Sequence, residues 1–482
     1  MVERSAGSAA RAMKGEVISG DPAILWSGAA IDSRRITGRE IFFALPGERV
    51  DGHDFLPQAI ASGAAAVVVH HDVEPASPDG REAAWVRVRD TYRALHDLTR
   101  DVRTRVPERL VAITGSAGKT TTKEILAAML ARRFRTERSP GNLNNLYGFP
   151  LSLLNVRDDC EWMVAEMGMS TPGELRQVSL LGRPDVAVFT NVRPAHLENF
   201  CHLRDVADAK AELLAGLADG GLVVANADDP EVTYIVDRHR AENPDAGVRY
   251  VYYSADTERQ EQGASPQVRA SRARPLADGR PGSRFKLSAG SESVTVELPI
   301  HGLYNVENCL AAAACAHALG VSLSEIARAA AELSPGPMRG EVHRVAGFTV
   351  VDDSYNSNPD AARKALESAK ALPAERHVAI LGDMLELGPE APSFHRQIGS
   401  HAAALGFALV VGVGELAREL VAAARQRSTA THWFADAGQA ARWVSAASRE
   451  EIGGGDLLLV KGSRGVGLEA VVDALLAKGE RS

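Results

Sequence analysis

The sequence predicts an α/β protein of three domains. These are a small N-terminal α/β domain, a central P-loop-type domain with a mostly parallel sheet, and a C-terminal doubly wound, Rossmann-like domain. Three observations carry this expectation. Short apolar runs alternate with stretches of helical periodicity along the chain, the pattern of strand–helix–strand units. One of those runs, Leu110–Ile113, leads into Gly115-Ser116-Ala117-Gly118-Lys119-Thr120 and then a segment rich in Ala, Leu and Met. Polar clusters also follow the C-terminal ends of several apolar runs, the edge at which open parallel sheets bind ligands. A chain of 482 residues holds about three domains at roughly 150 residues each, and the glycine turn that opens the second and a Pro-Gly-Pro stretch before the third place them at 15–102, 103–335 and 336–482.

In the first domain, Ile24–Trp26 reads as a short strand and Asp32–Arg35 as a polar turn before a second strand, Ile41–Ala44. Phe55–Gly63 reads as a helix ending at a glycine, and Ala64–His70 and Trp85–Val88 as strands. Thr91–Val102 carries apolar residues spaced three and four apart, as a helix does. Ser33, Arg34 and His53 offer hydroxyl, guanidinium and imidazole groups near strand ends, which suit a phosphorylated or nucleotide ligand but also suit solvated loops. Met1–Lys14 has basic residues but no apolar core, so it reads as a loose tail rather than a secretory signal.

The second domain opens with the glycine turn. Glycines let the backbone wrap closely and aim N–H groups at phosphate oxygens. The following helix, expected over Lys123–Phe134, adds a partial positive charge at its start; Lys119 adds a full charge, and the Thr120 hydroxyl is a Mg²⁺ ligand type. The turn is two residues shorter than the general GxxxxGK[ST] pattern. Trp162–Ala165 is a buried strand ending at Glu166, where a carboxylate ligand for a nucleotide's Mg²⁺ belongs. Val186–Phe189 and Gly221–Asn226 are further strands. Between them, His196 reads equally as a ligand or a surface histidine, and Lys210 as a solvated lysine on an Ala-rich helix. Ala255–Gly282 is polar and expected to be an exposed loop; Ser283–Ile300 alternates as antiparallel strands do, and a helix runs to Leu319.

Pro335-Gly336-Pro337 marks a boundary. Beyond it Phe348–Val351, Val378–Leu381, Leu409–Val411 and Leu457–Val460 read as strands, with a helix ending at Ala371. The polar clusters DDSYNSNP, GDM and KGSRG come after three of them.

Composition narrows the function classes. A 45% hydrophobic and 24% charged chain is an ordinary globular one, and a formal charge of −8 without any basic block argues against a nucleic-acid partner. Cys160, Cys201, Cys309 and Cys315 are scattered, as reduced thiols in a cytoplasmic protein are. No apolar run is long enough to insert in a membrane, and nothing in the pattern demands more than a monomer.

Ten segments in order resemble motifs of the Mur ligase family, the ATP-dependent amide ligases of peptidoglycan synthesis. They are GSAGKTT (115–121), GNLNNLYGFPLSLL (141–154), AEMG (165–168), NVRPAHLENF (191–200) and DAKAE (208–212), then YNVENCLAAA (304–313), MRGE (338–341), DDSYNSN (352–358), GDMLELG (382–388) and VKGSR (460–464). The resemblance spans Asp32 to Glu469. DDSYNSNP, GDMLELG and GNLNN are similar to the member that adds D-alanyl-D-alanine to UDP-MurNAc-tripeptide; the Asp-Asn-Pro-Arg motif of the member adding the third residue is missing. Ser116-Ala117 replaces a common Thr-Asn, and Arg193-Pro194 precedes the Ala-His.

The resemblance implies a reaction and a set of residue roles. ATP phosphorylates the tripeptide's terminal carboxylate, and the amine of D-Ala-D-Ala attacks the acyl phosphate to give UDP-MurNAc-pentapeptide. By the same resemblance, catalytic roles fall to Lys119, His196, Lys210 and Arg339. The nucleotide is held by Gly115, Ser116, Ala117, Gly118, Lys119, Thr120 and Thr121, with Asn305 at adenine, Asp353 at the ribose and Arg339 at the γ-phosphate. Two Mg²⁺ ions are expected, with Thr120, Glu166, His196 and Lys210 as ligands, Lys210 being carbamylated. UDP is expected near Ser33, Arg34 and His53, the muramyl group near Asn144 and Asn145, and D-Ala-D-Ala near Tyr355, Asn356 and Asn358. Two alternatives stay open: a sister ligase, either the third-residue type or a folylpolyglutamate synthetase, and a non-catalytic nucleotide-binding regulator.

Overall fold

The computed structural model describes residues 4–47, 50–71, 73–75, 82–106, 109–194, 197–200, 202–255, 266–277, 280–345, 347–448 and 451–480. The chain forms two compact units, the first made of Met1–Ile113, Arg133–Ala187 and Glu212–Gly221, the second of Thr114–Arg132, Val188–Ala211 and Leu222–Ser482.

In the first unit a five-stranded sheet has the order Glu16–Ser19, Ala84–Arg87, Ala66–Val69, Ile41–Phe43, Ala29–Ala30. Its first pair is antiparallel and the others parallel. Phe42, Val67 and Trp85 from three of these strands pack with Leu56 and Ile60 of the helix Leu56–Ala61. The helix at the end of this segment runs Thr91–Arg105, capped by Asp90, whose carboxylate accepts from Arg93 N. Two expectations fail here. Ile24–Trp26 is not a strand: only Leu25 bridges, to Ser5. The N-terminal tail is not loose, because Ala6–Ala12 is a helix with Ser5 as its cap. Its small side chains let the backbone lie close, and Ala6 N and Gly7 N donate to Ile24 O and Pro22 O at 2.8 Å each.

The same unit holds a parallel ladder of Thr136–Arg138, Trp162–Glu166 and residues 109–113 of the strand Arg109–Thr114. Both of the longer strands read as continuous apolar runs because both faces of such a ladder are covered. Cross-strand pairing sets Glu166 opposite Ile113, two positions before Gly115 in sequence.

In the second unit Leu222–Asn226, Arg249–Ser254 and Val268–Pro275 run parallel, and Ser283–Ala289 and Glu292–Leu298 continue antiparallel. The expected loop at Ala255–Gly282 is therefore corrected over Val268–Pro275. Its inward residues Val268 and Ala270 are small, and pairing with Ser283–Ala289 completes a strand that periodicity alone does not reveal.

A six-stranded sheet comes next, ordered Glu341–Val345, Phe348–Asp353, Asp456–Lys461, Arg376–Gly382, Leu409–Val413, Ala430–Phe434. Only the first pair is antiparallel. Alternate residues serve opposite faces. Val351, Ala379, Leu381, Leu457 and Leu459 pack on helices Pro359–Lys370 and Ala391–Ala404, whereas Val350, Val378, Ile380, Leu458 and Val460 pack on Ala437–Ala446 and Glu469–Glu480. Helices on both faces of a parallel sheet make this the doubly wound domain that the sequence predicts.

Candidate active site

The strand Arg109–Thr114 passes directly into the glycine turn and the helix Lys119–Leu130. The helix starts four residues earlier than Lys123, because Gly118 takes a left-handed conformation (φ 83°) at its N-cap. Only glycine fits there: a Cβ would lie 2.1 Å from Asn308 Oδ1, and one on Gly115 (φ 152°) would lie 1.9 Å from Thr190 Oγ1. The turn is propped from behind by Thr190–Arg193. Ser116 N donates to Asn191 O, and Ala117 N to Asn191 Oδ1, at 2.9 Å each. Thr190 Oγ1 donates to Ala117 O at 2.7 Å, and Ser116 Oγ donates to Arg193 O at 2.9 Å. Of the turn amides expected to face phosphate, those of Ser116 and Ala117 thus serve the turn's own rigidity. The short Ser116 hydroxyl is sufficient for its share of that propping.

Lys119 Nζ donates to Gly115 O at 2.7 Å, folding the charge over the turn. Thr120, one residue into the helix, accepts a 3.0 Å hydrogen bond from Arg339 Nη2. Arg339 is brought in by a tight turn after Pro337: Met338 has φ 59°, Gly340 N donates to Asp352 O and Tyr355 N donates to Met338 O. Positive φ at a residue with a side chain is a conformation that surroundings must enforce. The guanidinium lies 3.8 Å from the centroid of the Tyr355 ring, and Arg464 approaches the same ring at 6.0 Å.

Lys210, on the helix Leu203–Ala211, is buried. Burial, with a smaller contribution from the charge of Lys119, holds its amine well below the ordinary lysine range. The solvated-lysine reading does not describe it. His196 lies outside the described residues, as does Cys201. Glu166 is buried, and Asn144 Nδ2 donates to its Oε1 at 2.6 Å.

On the helix Tyr304–Ala318, Asn305 donates to His301 O at 2.6 Å and accepts from Asn308 Nδ2 at 2.8 Å. Asp353 is ion-paired to Lys461 (2.7 Å), which also donates to Asn356 O (2.9 Å). The second unit therefore brings Gly115–Thr121, Lys210, Asn305, Arg339, Asp353 and Tyr355 into linked contacts or neighbouring positions. Asn358 caps the helix Pro359–Lys370, its Oδ1 accepting from Ala361 N. Asn145 likewise accepts from Tyr147 N and Gly148 N.

In the first unit, Ser33 is buried and donates to Gln58 Oε1, Arg34 is exposed and doubly bonded to Asp32, and His53 turns its Nδ1 to Asp51. Sequence reasoning missed Asn191, Asn308, Lys461 and Arg464. The last lies with Lys461 in the KGSR cluster after a strand end, a signal that marks position but not partner.

Comparison with known proteins shows the family. Residues 27–103 match the Mur ligase family catalytic domain, 113–316 the Mur ligase middle domain, and 338–464 the Mur ligase glutamate ligase domain. The UDP-N-acetylmuramoyl-tripeptide–D-alanyl-D-alanine ligase of Escherichia coli (strain K12) is 33% identical over 468 residues, covering 97% of each chain. A crystal structure of MurF from Acinetobacter baumannii has a TM-score of 0.84 at 28% identity over 98% of each chain. MurF ligase from Thermotoga maritima in complex with ADP has a TM-score of 0.77 at 26% identity, over 94% of this chain and 98% of that one. The chain belongs to the Mur ligase family, a class of ATP-dependent ligases. Its relatives place it in the MurF branch.

Proposed function

We propose that the chain joins D-alanyl-D-alanine to UDP-MurNAc-tripeptide at the expense of ATP, through an acyl phosphate, giving UDP-MurNAc-pentapeptide in peptidoglycan synthesis. The observation that carries the reading is the Arg339–Thr120 contact. It brings a guanidinium from beyond the Pro335-Gly336-Pro337 boundary onto the helix that starts at the phosphate turn. The chemical obstacle is anionic ATP meeting an anionic carboxylate, and cations fixed beforehand reduce that repulsion. Lys119 and Arg339 supply two. Lys119 leaves Gly115 O for the β- and γ-phosphates, and Arg339 meets the charge that grows on the γ-phosphoryl group. The tripeptide carboxylate oxygen attacks that phosphorus and ADP leaves. The dipeptide amine then attacks the acyl carbon, and the tetrahedral intermediate collapses with loss of phosphate.

Oxygen ligands suit Mg²⁺, and Thr120 and Glu166 offer a hydroxyl and a carboxylate of that kind. Two ions would shield the phosphates. Lys210 fits a third ligand role once carbamylated: burial lowers the pKa of its amine, which favours the uncharged form that adds CO₂, releasing one proton and leaving an anionic oxygen donor. His196 is assigned as a further ligand. In the same reading Asn305 meets adenine and Asp353, oriented by Lys461, the ribose. Residues 15–102 hold UDP, and 336–482 bring D-Ala-D-Ala beside Tyr355 and Asn356. A cytoplasmic location agrees with ATP and UDP-linked substrates; among the described residues no helix is long and apolar enough to cross a membrane.

The test is phosphate release from ATP and Mg²⁺ with UDP-MurNAc-tripeptide, with and without D-Ala-D-Ala. Release that needs both, with a UDP-pentapeptide by mass spectrometry, supports the reading. Release only with UDP-MurNAc-dipeptide and a diamino acid, or with a folate and glutamate, overturns it.

A further inference from the structure

Three imidazoles meet in the first unit around His53, whose expected place near UDP gives no role to the other two. His53 lies in the short turn Gly52–Phe55, and His70 and His71 come directly after the buried strand Ala66–Val69. One ring nitrogen from each lies within 4.8 Å of the others. The ring centroids are 3.9 Å apart for His53 and His71, 4.6 Å for His53 and His70, and 4.8 Å for His70 and His71.

Two further features of this cluster point to a ligand. Nδ1 of His70 is buried and has no hydrogen-bond partner among the described residues, which is costly unless something occupies it. His53 is buried, and its Nδ1 is 2.6 Å from Asp51 Oδ1. A carboxylate on Nδ1 fixes the tautomer that leaves Nε2 as an electron-pair donor, the usual support of a metal-bound histidine. Among the described residues, Nε2 of His53 accepts a long hydrogen bond, 3.4 Å, from His70 N.

We propose that His53, His70 and His71 form a binding site for a divalent transition ion of the imidazole-preferring kind, with Zn²⁺ as its type. Three neutral imidazoles plus one or more open positions is a donor set that suits zinc, nickel or copper and not Mg²⁺. Nitrogens on a tetrahedral zinc are about 3.4 Å apart, given Zn–N bonds of about 2.05 Å, so the cluster must contract. His71 is exposed and is the ring with room to turn. An ion held this way would tie the Asp51–Phe55 turn to the end of the Ala66–Val69 strand.

The site shares His53 with the residues expected near UDP, and it is tested by metal binding without the ligase reaction. Full-length protein is dialysed to equilibrium against Zn²⁺ in a competing buffer, then compared with His71→Ala and Asp51→Asn. The wild type is expected to hold one zinc more than His71→Ala, and Asp51→Asn to bind that zinc about 10- to 100-fold more weakly. Zinc should raise the thermal midpoint of the wild type and not of His71→Ala. Replacement by Co²⁺ should give the visible absorption of a low-coordinate nitrogen site, lost in His71→Ala. Equal stoichiometry and equal affinity in the wild type and His71→Ala would overturn the proposal. These readouts use no ligase substrate, so failure of the metal site is distinguishable from failure of the proposed activity.

Discussion

Arg339 donates from Nη2 to Thr120 Oγ1 across 219 residues of sequence. The bond joins the residue after the phosphate-turn lysine to a side chain that the last third of the chain supplies. Replacing Arg339 with Ala should leave ATP affinity within severalfold of wild type and lower kcat by about 100-fold or more, the usual cost of removing one donor to developing charge. Steady-state phosphate release against ATP concentration reads the two effects separately.

Lys119→Ala should abolish turnover with little loss of stability, since the Nζ bond to Gly115 O lies within the turn itself. Gly118→Ala should do more. Its new Cβ would meet Asn308 Oδ1 at 2.1 Å in a conformation with φ of 83°, so nucleotide binding should weaken and stability should fall by about 1–3 kcal/mol, lowering the thermal midpoint. ATP-analogue binding and thermal unfolding distinguish the two variants.

Lys210→Ala should lose most activity and regain part of it with added formate or acetate, which return an anionic oxygen to the vacated space. A fully active Lys210→Ala would rule out the carbamate. Wild-type activity should also depend on dissolved CO₂ during degassed assays below saturating bicarbonate.

Lys461 is buried against Asp353. Lys461→Met keeps the stem and strands the carboxylate, a change worth about 3 kcal/mol or more when a buried pair loses one partner. Urea unfolding of the variant should shift accordingly, and the double variant Lys461→Met/Asp353→Leu should recover much of the loss.

His301 is buried, and that burial lowers its pKa to about 4. The unfolded chain, with an ordinary value of 6.5, binds the proton more readily between these limits. Stability from this group is therefore complete above about pH 6.5, falls as pH drops through that window, and levels off below about 4. The loss from pH 7 to pH 5 is about 2 kcal/mol. A His301→Leu variant should show a correspondingly smaller difference between its urea midpoints at the two pH values.

The phosphate turn was legible because glycine, lysine and hydroxyl each have a local reason to stand where they do. Strands such as Trp162–Glu166 and Asp456–Lys461 were legible because burial on both faces leaves an unbroken apolar run. Ala6–Ala12 was hidden because its small residues pack by backbone approach and show no apolar periodicity. Val268–Pro275 was hidden because its partner strand, not its own pattern, defines it. Asn308 against Gly118 and Lys461 beside Asp353 depend on distant segments meeting. No local spacing encodes such pairs. His70 and His71 look like the polar end of a strand until His53 is set beside them.

Asn305 and Asn308 stand three residues apart on one helix, joined by a 2.8 Å hydrogen bond, and Asn308 Oδ1 abuts Gly118. One helical turn thereby gauges the span between the phosphate turn and the place assigned to adenine. An inhibitor that mimics the nucleotide has to match that fixed span, and resistance by moving the turn would require moving the helix as well.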